Sequence, residues 1–364
     1  MTEDVATQRM HAVGLAGGPW ESAEDVVRRL SVVQSQDLGP AMWSVGQRLA
    51  DASEDAIAAA LADGSIVRTH VLRPTWHFVL PEDIRWLLDL TAPRVHAFNA
   101  YYYRTHELDR PLLDRCADLI GTHLSGGNAL TRREVATVLE HAGVPASSLR
   151  LGLILMYAEL QQIICNGPRR GKQSTYALFD ERVPAARRLD HDEALAELTR
   201  RYFTSHGPAT AKDFQWWSSL TMADISKGLD VVAGGLESRH IGGRTYYWAP
   251  SAQPVPGPAP HVAQLLQPYD EYVVAYTESK VVLDRAGLDA SKRPERGAYN
   301  GIILLGTQMV GNWKRAVKRH EITVDVQLYR PLDATETESL HVAAHAHAAF
   351  LGKAAASVNP PQQL

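Results

Sequence analysis

Residues 166–179 of this chain read Asn-Gly-Pro-Arg-Arg-Gly-Lys-Gln-Ser-Thr-Tyr-Ala-Leu-Phe. Asparagine, glycine and proline favour turns, so Asn166–Lys172 predicts a basic turn. The threonine and aromatic residues of Thr175–Phe179 are typical of a strand. The preceding segment, Ser147–Ile164, carries an apolar stripe of helical period. The region therefore predicts a helix, a basic turn and a returning strand, in that order.

Two more helices are predicted upstream of this region. Leu113–Leu124 has an amphipathic pattern, and Thr131-Arg-Arg-Glu134 has the spacing of a capping box, which predicts that a second helix begins there. Gly143 and Pro145 end that helix. Three helices followed by a β-hairpin form the plan of the winged helix, a helix-turn-helix with an appended strand pair.

The same plan occurs three times before residue 250. The first copy has predicted helices near Ala23–Val33, Pro40–Leu49 and Glu54–Asp63, and strands at Ile66–His70 and Thr75–Leu80. The third copy has predicted helices at His191–His206, Thr210–Leu220 and Thr221–Val232, and a hairpin at Arg239–Trp248. A basic turn precedes a Thr-aromatic pair in each copy, at Thr75-Trp76, Thr175-Tyr176 and Thr245-Tyr246. β-Propensity alone explains one such pair, whereas three pairs in register favour a repeat.

A proline cluster divides the chain near residue 250. Such a density of prolines excludes helix and central strand, so residues 250–260 are predicted to form an extended linker. Beyond it, strands are predicted at Tyr272–Tyr276, Ala298–Leu304, Gln308–Trp313 and Glu321–Tyr329, with a hairpin turn at Gly306-Thr307 and a closing helix at Thr335–Leu351.

The predicted fold class is mainly α with β wings (α+β), made of tandem winged-helix repeats and a C-terminal α+β unit. The predicted domains are 1–110 for the first winged helix and its connecting helices, 111–190 for the second, 191–249 for the third, 250–260 for the Pro-rich linker, and 261–364 for the C-terminal α+β unit with its β-hairpin.

Composition excludes several classes of protein. The 364 residues include 37 basic and 41 acidic side chains, and a net charge of −4 argues against a protein whose whole surface coats nucleic acid. No apolar run approaches the ~20 residues of a membrane span. The beginning of the chain lacks the basic-then-apolar order of a signal peptide. Two cysteines give no disulfide framework. We therefore expect a cytoplasmic, nucleoid-associated protein without a membrane partner.

Gln34-Ser35-Gln36 places two carboxamides at the end of a predicted apolar helix, just before Gly39-Pro40. On a helix, residues i and i+2 point ~200° apart, whereas in an extended chain they share a face. The two amides can therefore converge only where the helix ends. A solvated helix end is the alternative interpretation, and Asp37 is a competing candidate base.

Three other groups of residues have both a functional and a structural interpretation. The basic run Trp313–His320 is either a phosphate-binding edge or a solvated hairpin. His341, His345 and His347 resemble metal ligands, but no acidic or thiol partner has suitable spacing, so we predict a plain helix surface and no metal. His70 and His77 flank the first turn, where minor-groove contact competes with strand packing. The sequence has no phosphate-binding glycine loop, so we predict no cofactor.

Five segments of the chain resemble the AlkZ/YcaQ type of winged-helix DNA glycosylases. They are Gln34-Ser-Gln36, Ile66-Val-Arg-Thr-His70, Arg73-Pro-Thr-Trp-His-Phe-Val79, Leu265-Leu-Gln-Pro-Tyr-Asp-Glu-Tyr272 and Val310-Gly-Asn-Trp-Lys-Arg315. The matches occur in order over most of the chain. The resemblance implies tandem winged helices around a DNA-binding concavity, with Gln34 and Gln36 as the catalytic Gln-x-Gln motif. Ser35 departs from the usual apolar middle residue.

The resemblance also indicates a branch of the family. Relatives closer to YcaQ tend to have Gln-x-Asp, so the two glutamines resemble the AlkZ side, which is associated with self-resistance to DNA-alkylating natural products. A glutamine cannot deprotonate water at pH 7, but its carbonyl can orient a water and stabilise nearby positive charge. Such weak catalysis suits an N7-alkylated purine, whose ring is already cationic.

The sequence as a whole predicts a monofunctional DNA glycosylase. Its expected partner is double-stranded DNA carrying N7-alkylated purines, with bulky adducts or interstrand crosslinks as candidate lesions. The alternative is a winged-helix transcriptional regulator without catalysis. Such regulators usually dimerise, and no dimer segment is evident, so we expect a monomer. The predicted DNA contacts are His70, Arg73, Trp76, His77, Arg169, Arg170, Lys172, Lys314, Arg315, Lys318 and Arg319.

Overall fold

The computed structural model describes residues 2–171, 173–183, 186–250, 257–284, 287 and 301–359. Several predictions fall outside these residues: the DNA contact Lys172, most of the predicted linker, and the beginning of the predicted strand Ala298–Leu304. Helices and antiparallel sheets are mixed along the chain.

The first unit spans residues 23–79. After the helix α1 (Thr2–Ala12), its elements are α2 (Ala23–Leu30), β1 (Val33–Gln34), α3 (Leu38–Gly46), α4 (Glu54–Asp63), β2 (Val67–His70) and β3 (Trp76–Val79). The strands form an antiparallel sheet in the order β1-β3-β2, and Gln34 lies opposite His77 in the β1–β3 pair. The short strand β1 therefore holds the beginning of Gln34-Ser35-Gln36 against the hairpin.

The second unit, residues 110–178, repeats this topology after the long helix α5 (Ile84–Thr105). Its elements are α6 (Arg110–Leu124), β4 (Ala129–Thr131), α7 (Arg132–His141), α8 (Ser148–Leu160), β5 (Ile164–Arg170) and β6 (Gln173–Leu178), and a short helix α9 (Phe179–Arg182) follows. The strand order is β4-β6-β5. The capping box predicted from Thr131 and Glu134 is confirmed at the start of α7.

The third unit, residues 191–248, has the same order of helices and hairpin. Its elements are α10 (His191–Ser205), α11 (Ala211–Ser218), α12 (Met222–Val232), β7 (Glu237–Ile241) and β8 (Arg244–Trp248). A single β-bridge between Ala209 and Tyr247 replaces the third strand of the other two sheets. Capping boxes begin all three of these helices, because an Asp or Thr cap is followed three residues later by an acidic side chain.

The C-terminal unit, residues 257–359, is a sheet covered by a helix. Its elements are β9 (Ala263–Leu266), α13 (Glu271–Val274), β10 (Gly301–Leu305), β11 (Gln308–Val317), β12 (Glu321–Leu328), α14 (Ala334–Phe350) and β13 (Ala355–Val358). The strand order is β13-β12-β11-β10-β9, with only the β12–β13 pair parallel. The predicted turn at Gly306-Thr307 joins β10 to β11.

Two predictions of secondary structure are wrong. The segment Tyr272–Tyr276 was expected as a strand, but it overlaps the helix α13, because the Asp270 side chain caps that helix by accepting the N–H of Tyr272. The predicted helix Ala23–Val33 ends at Leu30, where Ser31 has a φ of 72°. The two glutamines were expected at the end of a helix, but Gln34 is the last residue of the strand β1 and Gln36 follows that strand.

The hydrophobic cores join units that are distant in sequence. One core packs the first hairpin and α5 against α10–α12 of the third unit. Another packs α2–α4 against the C-terminal unit, including Leu266, Tyr272 and Phe350. The first unit is consequently held between the third unit and the C-terminal unit, and Gln34 lies at that junction. No helix in the described ranges is long and apolar enough to span a bilayer.

Candidate active site

Gln34 is buried and is held at both its main chain and its side chain. Its main-chain N–H donates to Oε1 of Glu271 at 2.8 Å, and its side-chain Oε1 accepts from Nη2 of Arg73 at 2.5 Å. The Gln34 side chain is 4% exposed. The amide that the sequence predicts to be catalytic therefore has a fixed orientation.

Gln36 has a different environment. Its Oε1 is buried, and no residue in the described ranges forms a hydrogen bond to that atom. Its main chain is fixed by Arg68, which donates to the carbonyls of Ser35 at 2.9 Å and Gln36 at 3.3 Å. Asp37, the competing candidate base, is exposed at the start of α3. Two arginines of the first hairpin, Arg68 and Arg73, thus hold the Gln34–Gln36 segment.

A cavity of about 760 Å³ opens beside Gln34. Residues of the first hairpin, α5, the third unit and the C-terminal unit line it: Gln34, Arg73, Pro74, Thr75, Arg94, Phe98, Asn99, Tyr102, Lys212, Gln215, Trp216, Ser219, Leu220, Tyr269, Val274 and Thr277. Its aromatic members are unusually accessible, since Phe98 is 52% and Trp216 is 50% exposed. Gln36 and Asp37 do not line this cavity.

Arg73 connects the cavity to Gln34. Its guanidinium lies 5.8 Å from the centre of the Trp216 ring, and its Nε atom has no hydrogen-bond partner in the described part of the chain. Burial lowers the pKa of Arg73, and the negative charge of Glu271 opposes that shift. Arg73 was predicted to bind DNA, but in this structure it binds the Gln34 amide.

The other predicted contacts of the first hairpin are directed inward. His70 is 3% exposed and pairs with the buried Glu159, and Trp76 packs on it with 4.3 Å between ring centroids. His77 is fully buried and donates from Nδ1 to the carbonyl of Thr75. Burial, reinforced by the positive charge of Arg73, holds the pKa of His77 well below its usual range, so this ring is neutral. Strand packing, the alternative interpretation, describes these side chains here.

The basic residues of the second hairpin lie near its tip. Arg170 is exposed and pairs with Glu134 at 2.6 Å, and Arg169 is half-buried. Neither residue lines the cavity beside Gln34. Contacts of these side chains with DNA stay a prediction.

The basic run of the C-terminal unit lies on the β11–β12 hairpin. Lys318 and Arg319 are exposed at its turn, and Lys314 lies 3.7 Å from Asp325 of the neighbouring strand. Arg315 is half-buried and donates to Nε2 of His347. Arg315 is therefore held by the interior of the unit through His347, whereas Lys314 and Lys318 pair with carboxylates of β12.

His347 does not lie on a plain helix surface as predicted. It is fully buried among aromatic rings, 4.5 Å from Trp43 and 5.2 Å from Trp313 between centroids, because it faces the sheet from α14. His345 of the same helix is exposed. Among the described residues there is no group of three or more histidine, cysteine, aspartate or glutamate side chains that is arranged to hold a metal ion.

The burial of His347 makes stability depend on pH. Burial, with Arg315 nearby, lowers the pKa of His347 to about 3, against an ordinary value of about 6.5. In the unfolded chain His347 therefore binds a proton below about pH 6.5, whereas in the folded chain it binds one only below about pH 3. We expect this group to remove about 2 kcal/mol of stability between pH 8 and pH 5. Urea unfolding of His347→Gln should show a pH dependence shallower by that amount, and an identical pH dependence in both proteins would contradict this account.

Sequence reasoning missed four groups at the site. Glu271 and Arg68 stand in the segments that carry the family resemblance, but no role was predicted for either. Phe98 and Trp216 were also overlooked. A local signal existed for the α5 wall, since Arg94, Phe98 and Tyr102 recur every four residues along one face. No comparable pattern marks Glu271.

Comparisons with known proteins identify one family. The family model described as "DNA glycosylase AlkZ-like" matches residues 27–350. The chain is similar to an "Interstrand DNA cross-link repair glycosylase" of Streptomyces sahachiroi, with 26% identity over 336 residues that cover 88% of this chain and 90% of that protein. A solved structure, "Streptomyces sahachiroi DNA glycosylase AlkZ", superposes with a TM-score of 0.80 at 23% identity and covers 100% of this chain and 99% of that one.

Proposed function

This chain belongs to the AlkZ-like family of DNA glycosylases, and from that premise we propose that it hydrolyses the N-glycosidic bond of N7-alkylated purines in duplex DNA, with bulky adducts and interstrand crosslinks among its lesions. The similarity to the interstrand DNA cross-link repair glycosylase of Streptomyces sahachiroi supports the crosslink as a substrate. Such an activity serves DNA repair, or self-resistance in a cell that makes a DNA-alkylating natural product.

The observation that carries this proposal is the cavity beside Gln34. Its volume of about 760 Å³ lies in the range of ~300–1,000 Å³ that is typical of sites for drug-sized ligands. Most of the exposed wall area is apolar, with Phe98 and Trp216 among its aromatic members, and the Gln34 amide supplies a fixed polar group. A site of this size accommodates a purine together with a large substituent.

The proposed chemistry needs only amides and water. Gln36 does not line the cavity of the unbound protein, but it lies two residues from the cavity-lining Gln34 and its carbonyl has no protein partner in the described residues; we propose that this carbonyl accepts a hydrogen bond from the attacking water when DNA is bound. Gln34 lines the cavity. In the proposed complex the sugar lies next to Gln34, and the dipole of the amide stabilises the positive charge that develops on the sugar as the base departs. The water oxygen bonds to the sugar C1′ as the glycosidic bond breaks, and the electron pair of that bond leaves with the purine, which neutralises the cationic ring. The attacking water loses one proton to the solvent and remains on C1′ as a hydroxyl group.

We further propose that the three helix-and-hairpin units are winged helices that bind DNA without reading its sequence. In an ordinary helix-turn-helix the last helix enters the major groove. Here α4 carries three acidic and no basic residues, α8 is largely buried, and the single lysine of α12 pairs with Asp192. None of these three helices presents a basic face to DNA, which argues against the transcriptional regulator.

The proposed DNA contacts are four cations of the second hairpin and the β11–β12 hairpin: the exposed Arg170, Lys318 and Arg319 and the half-buried Lys314. His70, Trp76 and His77 support the strand that carries Gln34 instead, because their side chains contact protein. The proposed working form is a monomer, since one cavity and one Gln34–Gln36 segment complete the site within a single chain.

Release of free base tests the proposal directly. A duplex with one N7-methylguanine and a duplex with one N7–N7 crosslink are incubated with the protein, and abasic sites are scored by alkaline cleavage on a denaturing gel. We expect both free base and unhooked strands. Binding to one DNA sequence with no base release would instead support the regulator.

A second prediction concerns Phe98, one of the aromatic side chains that line the cavity. Stacking on an aromatic side chain contributes ~1–3 kcal/mol per ring system, so Phe98→Ala should slow excision of a planar aromatic N7 adduct about 10-fold relative to N7-methylguanine. Tyr101→Ala is the matched control, because Tyr101 is 63% exposed on the same helix but does not line the cavity. If Phe98→Ala slowed excision of both adducts equally, or if Tyr101→Ala slowed excision as much as Phe98→Ala, Phe98 would have no role in recognising the adduct.

A further inference from the structure

Glu271 is a buried carboxylate with donors from two other parts of the chain. Its Oε1 accepts the main-chain N–H of Gln34 at 2.8 Å, and its Oε2 accepts Nε1 of Trp217 at 2.9 Å and lies 3.3 Å from Nε2 of His206. The residue is fully buried. The first unit, the third unit and the C-terminal unit thus meet at one carboxylate.

This contact has a specific consequence for the edge of the first sheet. The strand β1 pairs with β3 on one side only. The Gln34 N–H donates to the Glu271 carboxylate, which takes the place of the carbonyl that a further strand would provide. The main chain of Gln34 is therefore fixed by an anion, while its side chain is fixed by the Arg73 cation.

The two ions also act on each other. Arg73 is a poorly solvated cation, and Glu271 is the principal negative charge that favours it. A buried charge that loses its partner is strongly destabilised. Removal of the Glu271 charge would therefore loosen Arg73, and with it the side-chain amide of Gln34.

We propose that Glu271 is a positioning residue for base excision, which sets the orientation of the Gln34 amide through the Gln34 main chain and through Arg73. The inference rests on the proposed role of Gln34 in the reaction. It assigns to α13 of the C-terminal unit a part in the chemistry of the first unit. Glu271 itself does not touch the substrate, because it lies behind Gln34 and does not line the cavity.

Glu271→Gln tests this proposal, since the variant keeps the size of the side chain and removes its charge. We expect single-turnover release of N7-methylguanine to slow about 10-fold, with the Kd for the same duplex changed less than 2-fold. In a Gln34→Ala background the same substitution should slow release less than 2-fold further, because there is no longer an amide to orient. If Glu271 had a purely structural role, Glu271→Gln would slow base release by the same factor in the wild-type protein and in Gln34→Ala.

Asp83→Asn is the matched control. Asp83 is also buried, also accepts a tryptophan Nε1 (from Trp86, at 2.8 Å) and also pairs with an arginine of the third unit, but it contacts neither Gln34 nor Arg73. Its folded fraction should excise at the wild-type rate even if the melting temperature falls. A folded Glu271→Gln protein with wild-type rate, or equal slowing by Asp83→Asn, overturns the inference. A wild-type rate for Gln34→Ala itself would instead overturn the proposed chemistry.

Discussion

Gln34→Ala and Gln36→Ala should each slow base release about 100-fold, the scale expected when one aligned polar group is lost from a reacting centre. The Gln34 amide lies at the wall of the cavity, and the Gln36 carbonyl is buried without a protein partner in the described ranges. Neither side chain is charged, so affinity for DNA should barely change. The measurement is single-turnover release of N7-methylguanine, with a binding isotherm for each variant.

A suitable control for the Gln36 substitution is Gln47→Ala. Gln47 also has a buried Oε1 without a partner in the described residues, but it lines a different cavity, next to α14. It should excise at the wild-type rate. Gln34→Ala also removes the side-chain acceptor of Arg73, so its melting curve has to show that the protein is folded. Gln36→Glu should retain part of the activity, because a carboxylate is a better base. Wild-type rates for both alanine variants would refute the mechanism and make Asp37 the next residue to test.

Combined replacement of Lys314, Lys318 and Arg319 by alanine should weaken DNA binding about 100-fold at 0.1 M salt. Each phosphate contact adds ~0.9 to the slope of log K against log salt, so the slope should fall by about 2–3. The exposed pair of Lys318 with Glu321 does not prevent this, since a surface ion pair stabilises by only ~0–1 kcal/mol and exchanges readily for a phosphate. Arg315 is left in place because it binds His347.

The matched control for the β11–β12 hairpin removes the same charge elsewhere. Arg110, Arg200 and Lys227 are exposed and ion-paired, as Lys318 is, and their combined replacement changes the net charge by the same amount as the hairpin variant. Titrations of both variants at several salt concentrations separate a local contact from overall charge. An unchanged slope in the hairpin variant, or the same change in the control, would exclude the hairpin from the interface.

The sequence by itself determined the order of the helices and hairpins in the three repeated units, and through the family resemblance it predicted Gln34 and Gln36 as the catalytic amides. Capping boxes, turns and apolar periods are local, because each involves residues within one or two helical turns, and the first and third helices of each unit are found with small shifts of their ends. The same locality explains the error at Tyr272–Tyr276, where β-branched and aromatic residues favour a strand but the Asp270 cap initiates a helix.

Only the tertiary structure decided how the Gln34–Gln36 segment is held and which residues form the cavity beside Gln34. Glu271 reaches the Gln34 N–H across 237 residues of chain, and the cavity takes its wall from α5, α11 and the C-terminal unit. The sequence also could not decide whether His70, His77 and His347 are buried, because a histidine in a strand or helix has the same local pattern whether it faces solvent or a neighbouring unit. The physical reason is that burial, ion pairing and cavity shape depend on the packing of units against each other, and local sequence patterns carry no information about that packing.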